Sequence, residues 1–425
     1  MNLLPLTSHL SPLSSSLPCP MRERVGDRVS TPCYYYDMQL LRETLQALRV
    51  ASQQVHNAHI HYAVKACATA PILREIAQAG LGADCVSGGE IRAAIEAGFA
   101  PDTIVFAGVA KADWEIRYAL QQGVECFNVE SEQELHVINQ LADELHTRAR
   151  VCLRINPDVD AHTNAQITTG RKENKFGIQL ADMQHALQTC LDLPHLDFCG
   201  LHFHIGSQIT DMHVFDNLVT RIEQITSLPC PMRERAGDRV FSLPFREGAG
   251  VGSFILNVGG GLGIQYENPD QYPIPDFQSY FATFARLNRL TEGLPTEIHF
   301  ELGRSIVAQC GTLLTHVLYV KQGASKQFAI VDAGMNDLVR PALYGAFHRI
   351  DNLTNVGADE QMYDVVGPVC ESSDVFVQNY LMPQVRRGDL LAIRSAGAYG
   401  EVMASQYNLR PLPKHYTSDE ITNHQ

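Results

Sequence analysis

The chain has 425 residues, 45% of them apolar and 19% charged, the balance of an ordinary soluble globular protein with room for two domains. A formal net charge of −14 argues against nucleic acid and anionic membrane surfaces as partners. Eleven cysteines without a C-x-x-C pair or zinc-finger spacing read as free thiols in a reducing compartment. The N-terminus lacks a basic, apolar leader, and no apolar run is long enough to span a bilayer, so a cytoplasmic enzyme is expected.

The first notable stretch is 16-SLPCPMRERVGDRVS-30, which recurs at 227–241 as SLPCPMRERAGDRVF. Two copies this far apart are not a solenoid, whose units stack in series. Arg22, Arg24 and Arg28 nearly cancel against Glu23 and Asp27, which disfavours a duplicated basic binding motif. Polar and without helical or strand period, both copies read as inserted surface loop, the second running on through 227–253.

Strand patterns follow at 60–65, 83–87, 103–108, 124–129, 151–155, 197–204, 254–258 and 297–301. Helical patterns lie between most of them. In 71-PILREIAQAG-80 a proline opens and a glycine closes the helix; in 131-SEQELHVINQLADEL-145 Ser131 and Glu134 form a capping box. Eight strands with interleaved helices predict an α/β fold, a (β/α)8 TIM-type barrel. After about residue 305 the runs at 313–321, 327–332, 363–369 and 389–395 follow one another with little helix, which predicts a mostly β second domain. The expected division is an N-terminal segment 1–36, a barrel 37–304 with an insertion at 227–253, and a β domain 305–425.

Barrel chemistry collects at the C-terminal ends of the strands. Those ends carry Lys65, Asp84, Ser87, Glu130, Arg154, His204, the glycines Gly259, Gly260 and Gly261, and Glu301 with Arg304. Any one of these has an ordinary reading as a solvated, capping or turn residue; seven such strand ends together do not. Glycines let backbone N–H groups approach a phosphate, and the Ser207 hydroxyl adds a donor. A lysine in a desolvated pocket has a lowered pKa and can form a Schiff base. A histidine can stack on an aromatic ring, and Glu301 can hold a protonated pyridine nitrogen. The set describes a site for pyridoxal 5'-phosphate (PLP), an electron sink for α-carbanions. Metal is not indicated: His202 and His204 share a strand face, but no third ligand lies at a matching position.

Ten stretches in order resemble the fold-type III PLP decarboxylases, and among them the diaminopimelate decarboxylase group. They are YAVKA (62–66), GADCVSGGE (82–90), NPDVDA (156–161), ENKFGI (173–178), HFHIGSQ (202–208), NVGGGLGI (257–264), ELGRSIVA (301–308), VDAGMNDLVRPALYGA (331–346), VVGPVCESSD (365–374) and AGAYG (396–400). The resemblance implies a (β/α)8 barrel with a C-terminal β domain joined by a strand near 33-CYYYD-37. It also implies a homodimer with an active site shared across its interface. It gives Lys65 to the cofactor's aldehyde, His204 to the ring face and Glu301 to the ring nitrogen. Asp84 also falls in the cofactor site. The glycines at 259–261, Ser207, Gly303, Arg304 and Tyr399 surround the phosphate. Arg304, Arg340, Tyr344, Glu371 and Tyr399 face the substrate, and Cys370 from the partner subunit, or else Lys65, is the expected proton donor.

The implied reaction is decarboxylation of meso-2,6-diaminopimelate to L-lysine and CO2, the last step of lysine biosynthesis. Two arginines near the distal end suit a second carboxylate, which ornithine lacks. Decarboxylases of carboxynorspermidine, ornithine or arginine are the alternatives, with a non-catalytic relative as the reading from another class. Two positions depart from the family pattern: Leu302 replaces a proline, and Cys67 stands where asparagine is usual.

Overall fold

The computed structural model describes residues 29–159, 175–226, 253–291 and 295–422. Most of the repeated segments, the 227–252 stretch and parts of the motifs at 156–161 and 173–178 lie outside these residues.

Strand β1 (Cys33–Tyr36) precedes eight parallel strands: β2 (Ala58–Ala63), β3 (Gly82–Cys85), β4 (Ile104–Phe106), β5 (Cys126–Val129), β6 (Ala149–Asn156), β7 (Leu196–His202), β8 (Phe254–Asn257) and β9 (Thr296–Leu302). Each pairs with the next, and β9 pairs back onto β2, so the sheet closes into a barrel. All eight coincide with predicted strands within a few residues. β3, β4, β5 and β8 are buried at every position, as strands packed on both faces must be.

Local chemistry sets the helix limits. Ser87 accepts the Glu90 N–H to cap Gly88–Ala97, which ends at Gly98 with φ of 104°. Ser131 caps Glu132–Glu144 in the same way. The expected capping box is shifted by one residue, because the Glu134 carboxylate takes the Glu130 N–H at 2.7 Å. Helices Met212–Thr226 and Phe277–Phe284 cover the β8–β9 side through an aromatic cluster in which Phe300 of β9 meets Tyr280, Phe281 and Phe284 edge-on.

The C-terminal strands are β10 (Gly311–Gln322), β11 (Gln327–Val331), β12 (Ile350–Asn352), β13 (Glu360–Val366), β14 (Val375–Pro383), β15 (Leu390–Ile393) and β16 (Lys414–Thr417). They form a mixed sheet in the order β12-β15-β10-β11-β13-β14. β1 joins it, antiparallel to β10 and parallel to β16. The Tyr34 hydroxyl donates to the Asp337 carbonyl and the Tyr36 hydroxyl to Glu401, so this strand ties the sheet to segments that reach the barrel's C-terminal mouth.

Candidate active site

At that mouth lies a cavity of about 970 Å³. Its lining combines barrel residues Lys65, His202, His204, Ser207, Gly261, Glu301, Gly303 and Arg304 with Arg340, Tyr344 and Tyr399 from the segments carried by the C-terminal sheet.

Lys65 is not the last residue of β2. The strand stops at Ala63, and Val64–Ala66 form a single 3-10 turn. The ladder runs out there: Ala63 pairs with Asp84 and Tyr62 with Leu302, and beyond them neither neighbour offers a partner. The turn is held by the Tyr399 N–H on the Ala66 carbonyl at 2.7 Å, and Gly303 packs against Ala63 and Ala66. Lys65 Nζ then lies 3.0 Å from Asp84 Oδ2, with Asp84 fully buried and its Oδ1 without a partner. The lowered lysine pKa expected from desolvation is not what this geometry produces. Burial does push Lys65 down, but Asp84, Tyr399 and Glu301 together push it above the usual lysine value. The free amine is a well-held ammonium.

Glu301 is the most heavily solvated carboxylate in the site, with protein in place of water. Asn128 and Asn257 donate to its Oε1 at 2.9 and 2.8 Å, and His202 Nε2 to its Oε2 at 3.1 Å. Burial raises its pKa, but His202 and Lys65 outweigh that and hold it below the ordinary glutamate range. His204, whose Nδ1 accepts the Gly260 N–H at 3.3 Å, is kept neutral by burial and by the nearby Arg154 and Lys65. Of the two histidines, then, His202 orients Glu301 and His204 is left with a ring face for the cavity.

The glycine run after β8 is a cradle that side chains would fill. A Cβ at Gly260 would stand 1.9 Å from the Glu301 carbonyl oxygen, and one at Gly261 2.7 Å from that of Gly206. Gly259 and Gly261 also hold φ of 71° and 107°. Gly260→Ala is therefore expected to cost about 3 kcal/mol or more, read as a lowered urea midpoint together with loss of retained cofactor. An unchanged midpoint and full retention would contradict the close approach.

Arg304 and Arg340 are both buried in the wall and have no carboxylate partner among the described residues. Arg304 donates to Ser207 Oγ at 3.0 Å and to the Tyr266 hydroxyl at 2.7 Å, and its Nε has no partner. Arg340 donates to His348 Nε2 at 2.7 Å and lies 5.0 Å from the Tyr266 ring centre. Burial, then Arg340, presses the His348 pKa down to about 3, so that ring accepts as a neutral base. Two buried cations aimed into one cavity call for anions that the protein does not supply.

The described part of the fold thus fits an anionic pyridine aldehyde: an amine, a ring-stacking imidazole, a buried carboxylate, a glycine cradle and unpaired guanidinium groups. Residues 41–229 match the family of pyridoxal-dependent decarboxylases through its pyridoxal-binding domain. The chain is 52% identical over 394 residues to the diaminopimelate decarboxylase of Bacteroides thetaiotaomicron, covering 92% of this chain and 97% of that one. The chain belongs to the diaminopimelate decarboxylase family. The enzyme of that name from Zymomonas mobilis is 42% identical over 391 residues, covering 91% of this chain and 87% of its own. A crystal structure of a mutant diaminopimelate decarboxylase from Helicobacter pylori with L-lysine superposes with a TM-score of 0.82 at 38% identity, covering 93% of each chain.

Two of the residues that the family resemblance singles out stand apart from this cavity. Cys370 is exposed, with its N–H on Asn408, and the exposed Glu371 accepts from the Tyr407 hydroxyl. Ser87 serves as a helix cap. Glu130 and Arg154 pair with each other, and Glu130 also takes the Gly177 N–H. Leu302 continues β9 opposite Tyr62, and Cys67 Sγ contacts Thr69 and Tyr36. Asn128, Asn257 and Tyr266 escaped the sequence reading. The asparagines were signalled by buried amides at strand positions, where an unpaired amide is costly; Tyr266 carried no signal.

Proposed function

We propose that this chain decarboxylates meso-2,6-diaminopimelate to L-lysine and CO2 with pyridoxal phosphate as cofactor. The observation that carries the reading is the pair of buried guanidinium groups, Arg304 and Arg340, facing the same cavity as the Lys65 amine without carboxylate partners. When bound, the cofactor supplies an electron sink for the pair released as the α-carboxylate bond breaks.

The chain's residues divide that work. Lys65 Nζ would hold the aldehyde, neutral His204 would offer its face to the ring, and ionised Glu301 would keep a proton on the ring nitrogen. Gly259, Gly260, Gly261, Ser207, Gly303, Arg304 and Tyr399 receive the phosphate. Arg340, Tyr344 and Arg304 receive the distal carboxylate. Because Cys370 and Glu371 are exposed and do not line their own cavity, we assign them to the site of a second copy. There Glu371 takes the distal ammonium and Cys370 delivers a proton to the α-carbon. A homodimer follows. Leu409, 97% exposed and adjacent to the Asn408 that holds Cys370, offers apolar surface for it. No described helix is long and apolar enough to cross a membrane. Eight buried free thiols among the described residues fit a reducing compartment, and we place the enzyme in the cytoplasm.

The test is an absorbance scan of the cofactor-loaded protein with diaminopimelate, followed by product analysis. Lysine appearing, with the visible band and the activity lost together on borohydride treatment, supports the reading. Arg340→Ala is expected to lower kcat/KM for diaminopimelate roughly 100-fold, the worth of a charge-assisted bidentate contact. Ornithine turned over as well as diaminopimelate, with Arg340→Ala silent, would overturn the substrate assignment.

A further inference from the structure

The opposite, N-terminal mouth of the barrel carries a second cluster that the active site does not use. His59 and His61 begin β2, Glu297 and His299 begin β9, and Glu125 precedes β5. The register sets His299 opposite His59 and Glu301 opposite His61. Glu297, His299 and Glu301 thus alternate on one face of β9, a row running from this mouth to the active site.

The groups are close. His61 Nε2 is 2.9 Å from Glu125 Oε2, His299 Nε2 is 3.7 Å from Glu125 Oε1, and His299 Nε2 is 3.1 Å from Glu297 Oε2. The rings of His61 and His299 are 4.6 Å apart, and those of His59 and His299 5.3 Å. His61 is 2% exposed and His299 0%, and the Nδ1 atoms of both have no hydrogen-bond partner. His61, Glu125 and His299 bring one ligand atom each within 4.8 Å of one another, and so do His59, Glu297 and His299. A cavity of about 900 Å³, lined by His59, His61, Glu125 and Glu297, gives the cluster a path from solvent.

We propose that this mouth is a divalent transition-metal site, with His61, His299 and Glu125 as protein ligands to an ion of the zinc class and a fourth position open to water. Bonds of about 2.0–2.2 Å to nitrogen and oxygen in a tetrahedron set neighbouring ligand atoms roughly 3.4 Å apart. The observed His61–Glu125 and His299–Glu125 separations, 2.9 and 3.7 Å, bracket that value. Two imidazoles favour zinc, cobalt or nickel over magnesium or calcium, which take oxygen. Glu125 and the nearby Glu297 offset the ion's charge; Arg49 and Arg150 line the same cavity, and Arg42 there is already paired with Glu75 and Asp419. The ion would staple β2 to β9, the seam where the first and last barrel strands meet. The histidines at 202 and 204 suggested no metal in the sequence, and this cluster is invisible there because its ligands come from three strands far apart in the chain.

The experiment uses the full chain loaded with pyridoxal phosphate, stripped with a chelator and titrated with cobalt(II). One equivalent should give the visible ligand-field bands of a tetrahedral site, displaced by zinc, and a 100-fold excess over Kd should raise Tm by about 3 °C. Glu297→Gln, which removes the carboxylate 3.1 Å from His299 Nε2, should weaken binding by about tenfold, and His299→Asn by more, with the cofactor band unchanged. Folded wild-type protein giving no such bands would show that the cluster is an internal hydrogen-bonded plug and overturn the proposal. So would cobalt binding with undiminished affinity in both variants, which would place the ion elsewhere, at the cysteines for example.

Discussion

Lys65→Ala lowers kcat/KM for decarboxylation by at least about 10⁴-fold, the scale seen when a covalent-catalysis residue is removed. The loss should persist at saturating pyridoxal phosphate, and borohydride should no longer fix the cofactor to the protein. The variant also exposes the structural role of the pair. Asp84 is 0% exposed and its one ionic partner among the described residues is Lys65 at 3.0 Å. Burial and then Glu301 lift the Asp84 pKa, while Lys65 pulls it back down. Burial and Glu301 hold Asp84 above the ordinary aspartate value even beside Lys65; without Lys65 the rise is larger, so the folded protein keeps a proton on Asp84 to higher pH while the unfolded chain has released it. Stability then falls as pH rises from the unfolded aspartate's value, about 3.9, through the higher folded value. A buried pair broken on one side costs about 3–5 kcal/mol. The Lys65 side chain is 38% exposed, so water screens the pair and about 2 kcal/mol is expected here at neutral pH. Urea midpoints of the two proteins between pH 4 and 8 read this directly. Parallel profiles would show that Asp84 does not depend on Lys65.

Strand period alone located all eight barrel strands, because buried parallel strands are short apolar runs and the intervening helices carry caps such as Ser87 and Ser131. What the period does not contain is where a ladder stops. Lys65 lies two residues beyond β2 because that strand's pairing ends at Asp84 on one side and at Leu302 on the other, a fact of register rather than of local sequence. The site was legible where a residue type has few ordinary uses, as for a strand-end lysine, a triple glycine or a buried glutamate. It was illegible where the same type serves many purposes. Asn128 and Asn257 read as polar interruptions, and only closure of the barrel aims both amides at Glu301. The two histidines of HFHIGSQ look equivalent in sequence. The fold separates them, sending His202 Nε2 to Glu301 and giving His204 the Gly260 N–H.

Glu301→Gln is expected to lower kcat by about 10²–10³-fold, the usual loss when one preorganised electrostatic contact to developing charge is removed, with cofactor affinity changed less than about tenfold. The asymmetry follows from what surrounds the side chain. Gly260, Gly261, Ser207 and Arg304, the groups proposed to receive the phosphate, are untouched by the change, so anchoring should persist. The carboxylate's neighbours are all donors: two asparagine amides on Oε1 and the His202 ring N–H on Oε2. A glutamine must turn its NH₂ toward one of those, leaving at least one buried donor facing another at a cost of about 1–3 kcal/mol. It also presents no negative charge to a ring nitrogen, so the proton there is no longer held and the electron sink is shallower. The acid limb changes as well. Burial raises the Glu301 pKa, but His202 and Lys65 bring it below the ordinary value. Its contribution to stability is therefore complete above the unfolded glutamate's pKa, about 4.3, and is lost as the pH falls through the lower folded value. The variant should be less stable at neutral pH and lose that acid-side slope. Equal losses in kcat and in cofactor affinity would mean that Glu301 only anchors the ring, and its role in holding the nitrogen's proton would have to be given up.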